Sequence, residues 1–224
     1  MATLGSTGKA EAQQFDKKRK LFLIPLVSIP PQLEEQISDL ADTHWGQIRE
    51  QLQNLEKSLG TIRHVFHELI HEEGKPGVQL LSQIAPRSAA LVKEITDSSG
   101  HLEQTEDQDL LFELSDWQRC LSVGLVSQKV STLASENYQT AMNDRYVRIG
   151  SKIDEVLEED GVAALFISED HRVQFPSDIQ VFYVSPPTQN QLKQSVVDLI
   201  QKSFEENQPE PQEHPSNSNE KEVE

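Results

Sequence analysis

The residues in this chain whose types and spacing could do chemistry are His67-Glu68-Leu69-Ile70-His71. The pattern H-E-x-x-H suits a zinc hydrolase only on a helix. There, histidines four apart share one face and both imidazoles reach one ion at about 2.0–2.1 Å. The glutamate between them then serves as base to the metal-bound water. The apolar residues Ile62, Val65, Phe66, Leu69 and Ile70 recur at spacings of three and four, which predicts a short helix between Gly60 and Gly74. Thr61, Ile62 and Val65 are β-branched and also suit a strand, in which case the metal geometry disappears. On a helix turning about 100° per residue, His64, His67 and His71 point away from the apolar side. Three imidazoles on such an exposed face would bind a transition metal weakly. The alternative is a solvated face with His64 and Glu68 as an ordinary i,i+4 pair.

The five residues resemble the zinc-binding helix of thermolysin-like peptidases, which carry His-Glu-Leu-x-His. That resemblance implies His67 and His71 as zinc ligands, Glu68 as the catalytic base and a downstream glutamate as third ligand. Glu94, in Glu94-Ile95-Thr96-Asp97, stands at a suitable distance along the chain. The likeness covers these five residues only. The family's second motif has its aspartate one residue further along, and Glu72 and Glu73 are charged where such helices continue with uncharged residues. Gly77 stands where a related, longer pattern has its third histidine. Two readings stay open. One is a non-catalytic protein-interaction or regulatory factor with no cofactor, which the flanks favour; the other is a zinc-dependent hydrolase.

Charge narrows the partners. With 37 acidic against 20 basic side chains the formal charge is −17, so the surface repels phosphate backbones and anionic lipid. Neither nucleic acid nor a membrane is an expected partner. The single cysteine, Cys120, leaves no internal disulfide and points to a reducing, cytoplasmic compartment, with the thiol read as a small buried hydrophobe. No glycine-rich phosphate loop, nucleophile elbow or paired Cys-x-x-Cys occurs. Residues 1–20 are expected to be disordered and basic at their end, and residues 205–224 to be a disordered acidic tail.

The elements that must position the string read as an α+β fold. Long amphipathic helices are expected beside a small three- to four-stranded sheet with a C-terminal helix. Residues 21–160 read as a mainly helical region with an initial strand over Leu21 to Val27. Residues 161–204 read as a β-β-β-α module. A helix from Pro31 to Gly60 carries an apolar stripe longer than one compact module needs. Leu33, Ile37, Leu40, Leu52 and Leu55 of that stripe are therefore expected to line a surface for a protein partner or for self-association. Further helical tracts cover 78–84 and 88–95, separated by Pro86, and 109–159, as two helices or one bent one, with Trp117 in the core. Between them, 96–108 reads as a polar link. Strands are expected over 162–167, 171–175 and 179–184, the first two as a hairpin through Ser168-Glu169-Asp170, before a last helix over 189–204. Glu169, Asp170, His171 and Asp178 fall in turns, where they could act as a base or ligands or simply shape the backbone.

Overall fold

Two unbroken apolar runs, Leu21-Phe22-Leu23-Ile24 and Val162 to Ile167, are buried on both faces and lie side by side at the centre of a sheet. In the computed structural model, which describes residues 18–206, they are β1 (Arg19–Leu26) and β4 (Val162–Ser168). The expected disorder over residues 1–17 and 207–224 lies outside the described residues. Arg19 and Lys20 already belong to β1, and residues 205–206 close the last helix.

The mixture of helix and strand is as expected; the strand count and connectivity differ. Five strands form one parallel sheet in the order β3-β2-β4-β1-β5, with β2 at His64–His67, β3 at His101–Leu102 and β5 at Ile179–Tyr183. β1 therefore separates β4 from β5, and the expected hairpin does not form. Residues 169–178 instead carry the chain from the carboxyl end of β4 across β1 to the start of β5. The segment 171–175 pairs with no strand and buries Val173 against the sheet. Parallel neighbours require such a crossover, normally helical and a dozen or more residues long; here a short extended segment suffices because it bridges a single strand. The helix α5 (Gln128–Val156) lies close under it: a Cβ on Gly150 would meet the Gln174 carbonyl oxygen at 2.8 Å.

Alternate residues of the central strands face two helical layers. Phe22, Ile24, Val65, Ala164 and Phe166 pack against α1 (Ser38–Leu59), α2 (Gly74–Ile84) and α3 (Pro86–Ser98). Leu21, Leu23, Phe66, Ala163, Leu165 and Ile167 pack against α5 (Gln128–Val156). α6 (Thr188–Glu206) docks on α1 through Leu192 and Val196 against Ile37 and Ala41. The result is a three-layer α/β arrangement. Pro86 breaks the second helical tract as expected, and it opens α3 in the first-turn position that proline favours. The tract after residue 108 is two antiparallel helices, α4 (Gln108–Ser122) and α5. Asp107 caps α4 by accepting the Asp109 and Leu110 amides. Among the described residues no helix is long and apolar enough to cross a membrane.

Candidate functional site

The histidine string is a strand and a turn, which corrects the expected helix. Val65 buries toward the α1–α3 layer and Phe66 toward α5, so consecutive residues serve opposite faces with period two. After His67 the chain turns sharply through Leu69, which sits in the left-handed region at φ 69°. His67 and His71 therefore share no helix face. Glu94 lies on the outer side of α3, clasped by Arg49 at 2.7 and 2.8 Å. The predicted ligand set His67, His71 and Glu94 does not converge. Among the described residues the His and acid donors that do come together are Glu73, His101 and Glu103.

His67 is instead fully engaged at the carboxyl end of β2. The residue is 2% exposed, and its ring stacks on Phe166 with centroids 5.6 Å apart. Nδ1 lies 2.7 Å from the Glu68 carbonyl oxygen, an acceptor only, so Nδ1 carries the proton and donates. Nε2 is then the acceptor, 3.0 Å from the Ser88 hydroxyl in the first turn of α3. The His67 amide donates to Thr105 Oγ1 at 2.9 Å. Burial pushes the imidazole below its ordinary range, outweighing the carbonyl and charge of Glu68, and keeps it neutral. His71 Nδ1 is buried with no hydrogen-bond partner among the described residues.

Glu68 belongs to a buried charge cluster. Its carboxylate accepts the Ser168 hydroxyl at 2.7 and 2.8 Å and Arg145 Nη2 at 3.2 Å. Arg145, on α5, also donates from Nε and Nη2 to Glu106 Oε1 at 2.8 and 2.6 Å, and the Leu69 amide reaches the same oxygen at 3.1 Å. Burial alone would lower the guanidinium's pKa; the hydrogen bonds and charge of Glu106, then Glu68, outweigh it and raise it. Four segments meet here: the ends of β2 and β4, the stretch after β3, and α5. Sequence reasoning missed Arg145, although Ala141, Arg145, Ile149 and Ile153 recur every four residues and place it on the buried stripe of α5. It also missed Glu106 and Thr105, read as a polar link, and Ser88.

Above this floor lies a cleft of about 740 Å³ at the carboxyl ends of β1, β2 and β4. The chain leaves β1 toward one helical layer and β4 toward the other, so the cleft is at a topological switch point, where open parallel sheets bind ligands. Leu26, Ile29, Trp45, Ile84 and Val196 give it apolar walls. Its rim cations are already paired, Arg87 with Glu34 and Asp42 and Lys193 with Glu169.

The expected interaction stripe on the first helix faces inward, a second correction. Leu33, in a 3-10 turn before α1, is buried, as are Ile37 and Leu52, while Leu40 and Leu55 are half-buried; Ile37 and Leu40 pack against α6, and Leu52 and Leu55 pack in the core beneath α1. The stripe is long because α1 must cover the sheet and also receive α6. Exposed apolar surface lies elsewhere, on the α4–α5 pair. α5 has 29 residues, about 43 Å at 1.5 Å per residue, and only its C-terminal half reaches the sheet, through Ile149 and Ile153. Phe112 on α4, Val123 and Val126 in the connection, and Val130 and Leu133 on the outer half of α5 are exposed to solvent. Trp117 is half-buried, its Nε1 donating to Glu113 at 3.1 Å, and Cys120, expected inside, is exposed. No family model, curated protein or solved structure matches this chain.

Proposed function

We propose that the chain is a protein-interaction factor whose docking element is the α4–α5 arm, and that the arm pairs with a second copy of itself. The observation that carries this reading is the exposed seam along the outer half of α5. On α5, Val130, Leu133 and Asn137 follow one another at spacings of three and four, the a/d spacing of a coiled coil, and Val126, four residues before Val130, carries the apolar side into the α4–α5 connection. Val130 is 48% and Leu133 53% exposed, so among the described residues the outer side of each is left uncovered. An asparagine at one such position fixes register at a cost in stability.

Charge argues for a second copy rather than a different partner. Lys129 and Glu136 flank the seam on the same side, seven residues apart. In an antiparallel pair related by a two-fold axis, Lys129 of one copy lies opposite Glu136 of the other, and the reverse. The −17 formal charge opposes association, but beyond about 8 Å it is screened at physiological salt, and the seam lies away from the sheet.

Light scattering of the purified chain across a range of concentrations tests the reading. A mass near twice 25.3 kDa, falling to the monomer on Val130→Asp or Leu133→Asp with the fold intact, is the expected result. A strict monomer at every concentration would overturn self-pairing. The zinc-hydrolase reading gains no support from the geometry, since His67 already uses both ring nitrogens.

A further inference from the structure

We propose that Ser88 and His67 form a nucleophile–base pair at the floor of the cleft, able to hydrolyse small uncharged carboxylic esters with an apolar acyl group. This goes beyond the interaction reading and does not depend on it. The geometry is that of a serine nucleophile, its base and an orienting acceptor in line: Ser88 Oγ to His67 Nε2 at 3.0 Å, then His67 Nδ1 to the Glu68 carbonyl at 2.7 Å. Both residues border the cleft at its floor, each 2% exposed. The orienter is itself fixed. The Glu68 amide donates to the Phe166 carbonyl at 2.9 Å, and its carboxylate is held by Ser168 and Arg145.

The Ser88 hydroxyl has two acceptors at 3.0 Å, His67 Nε2 and the Ala85 carbonyl. In the reacting state its proton goes to Nε2 as Oγ attacks the ester carbon. Negative charge then develops on the carbonyl oxygen next to the first turn of α3, where Pro86 has no amide hydrogen and that of Ala89 is taken by the Ala85 carbonyl, so the Arg87 and Ser88 amides at the positive end of the helix serve as its donors. Collapse breaks the bond to the alkoxy oxygen, and the departing alcohol takes the proton from Nε2. Water then attacks the acyl-serine, gives a proton to His67, and releases the carboxylic acid with the hydroxyl restored. The walls select the substrate. Trp45, Leu26, Ile29 and Val196 suit an apolar acyl chain, and the rim cations Arg87 and Lys193 each already face a carboxylate, which leaves little net positive charge for an anion.

A fluorophosphonate probe tests this directly: Oγ bonds to phosphorus, fluoride departs and the proton passes to His67. Mass spectrometry of the full chain is expected to find one adduct, on Ser88, absent in Ser88→Ala. His67→Gln should slow labelling at least ~100-fold, the lower end of what a positioned base contributes. Turnover of p-nitrophenyl butyrate should follow the same pattern. Ile84 is a half-exposed wall residue, so Ile84→Trp narrows the cleft with little cost to folding and should also slow labelling. That variant decides the matter should His67→Gln fail to fold. No adduct on Ser88, or labelling that neither His67→Gln nor Ile84→Trp changes, would overturn the proposal. Val130→Asp should label as the parent chain does, which separates this test from that of the arm.

Discussion

Arg145→Met removes the cation that, among the described residues, pairs with two buried carboxylates, and the structure allows its cost to be worked out. The Arg145 side chain is 6% exposed, Glu106 1% and Glu68 11%. With the guanidinium gone, Glu106 keeps the Leu69 amide and Glu68 keeps the Ser168 hydroxyl, so both retain a donor and neither retains an opposite charge. Breaking a buried pair in this way costs about 3–5 kcal/mol, because an uncompensated charge stays inside. At about 2–4 °C per kcal/mol for a chain of this size, the melting temperature should fall by about 6–20 °C. Urea unfolding followed by far-UV circular dichroism measures the free energy. The same substitution placed on a Glu68→Gln, Glu106→Gln background should cost markedly less, since there is then no charge to strand, and the difference is the coupling energy. A cost below about 1 kcal/mol for Arg145→Met, against the 3–5 expected, would refute the reasoning. So would an equal cost in both backgrounds.

Three further outcomes follow from named contacts. Burial holds the His67 imidazole below its ordinary value of 6.5, so the folded state resists a proton that the unfolded chain accepts. Its contribution to stability is therefore complete above about pH 6.5 and is lost as pH falls toward the depressed folded value. Unfolding between pH 8 and 5 should show this slope, reduced in His67→Gln, with the remainder from His44 and His171, which burial shifts the same way. Gly77→Ala would place a Cβ 2.2 Å from the Glu72 carbonyl oxygen, forcing backbone to move at a cost of about 1–3 kcal/mol, readable by the same unfolding assay. Elemental analysis of chain purified without added metal should give a zinc content that His67→Ala leaves unchanged.

The strands that were legible are those whose apolar runs are continuous. Leu21 to Ile24 and Val162 to Ile167 bury both faces, and such runs mark parallel strands covered on both sides. That same signal argued against a hairpin, whose strands alternate, but Val173 and Phe175 alternate in the crossover and imitate one. The segment 62–71 imitates a helix because Ile62, Val65, Phe66 and Ile70 satisfy a three-and-four spacing, although only Val65 and Phe66 lie on the four-residue strand while Ile62 precedes it and Ile70 follows its turn. Periodicity over so short a run cannot separate the two. The stripe Leu33 to Leu55 was visible, but whether it met a partner or α6 depended on contacts with residues 192–196, far along the chain. Ser88 gave no signal: its meeting with His67 is made by the α2–α3 connection, and no spacing of 21 residues is a motif.

The central claim concerns the outer half of α5, and sedimentation equilibrium on charge-reversed chains tests it most directly. Lys129→Glu alone and Glu136→Lys alone should each weaken the dimer, because each sets like charges opposite one another across the two-fold axis, whereas the double reversal should restore it. A chain that stays monomeric, or one whose dimer is weakened further by the second reversal, would contradict the account.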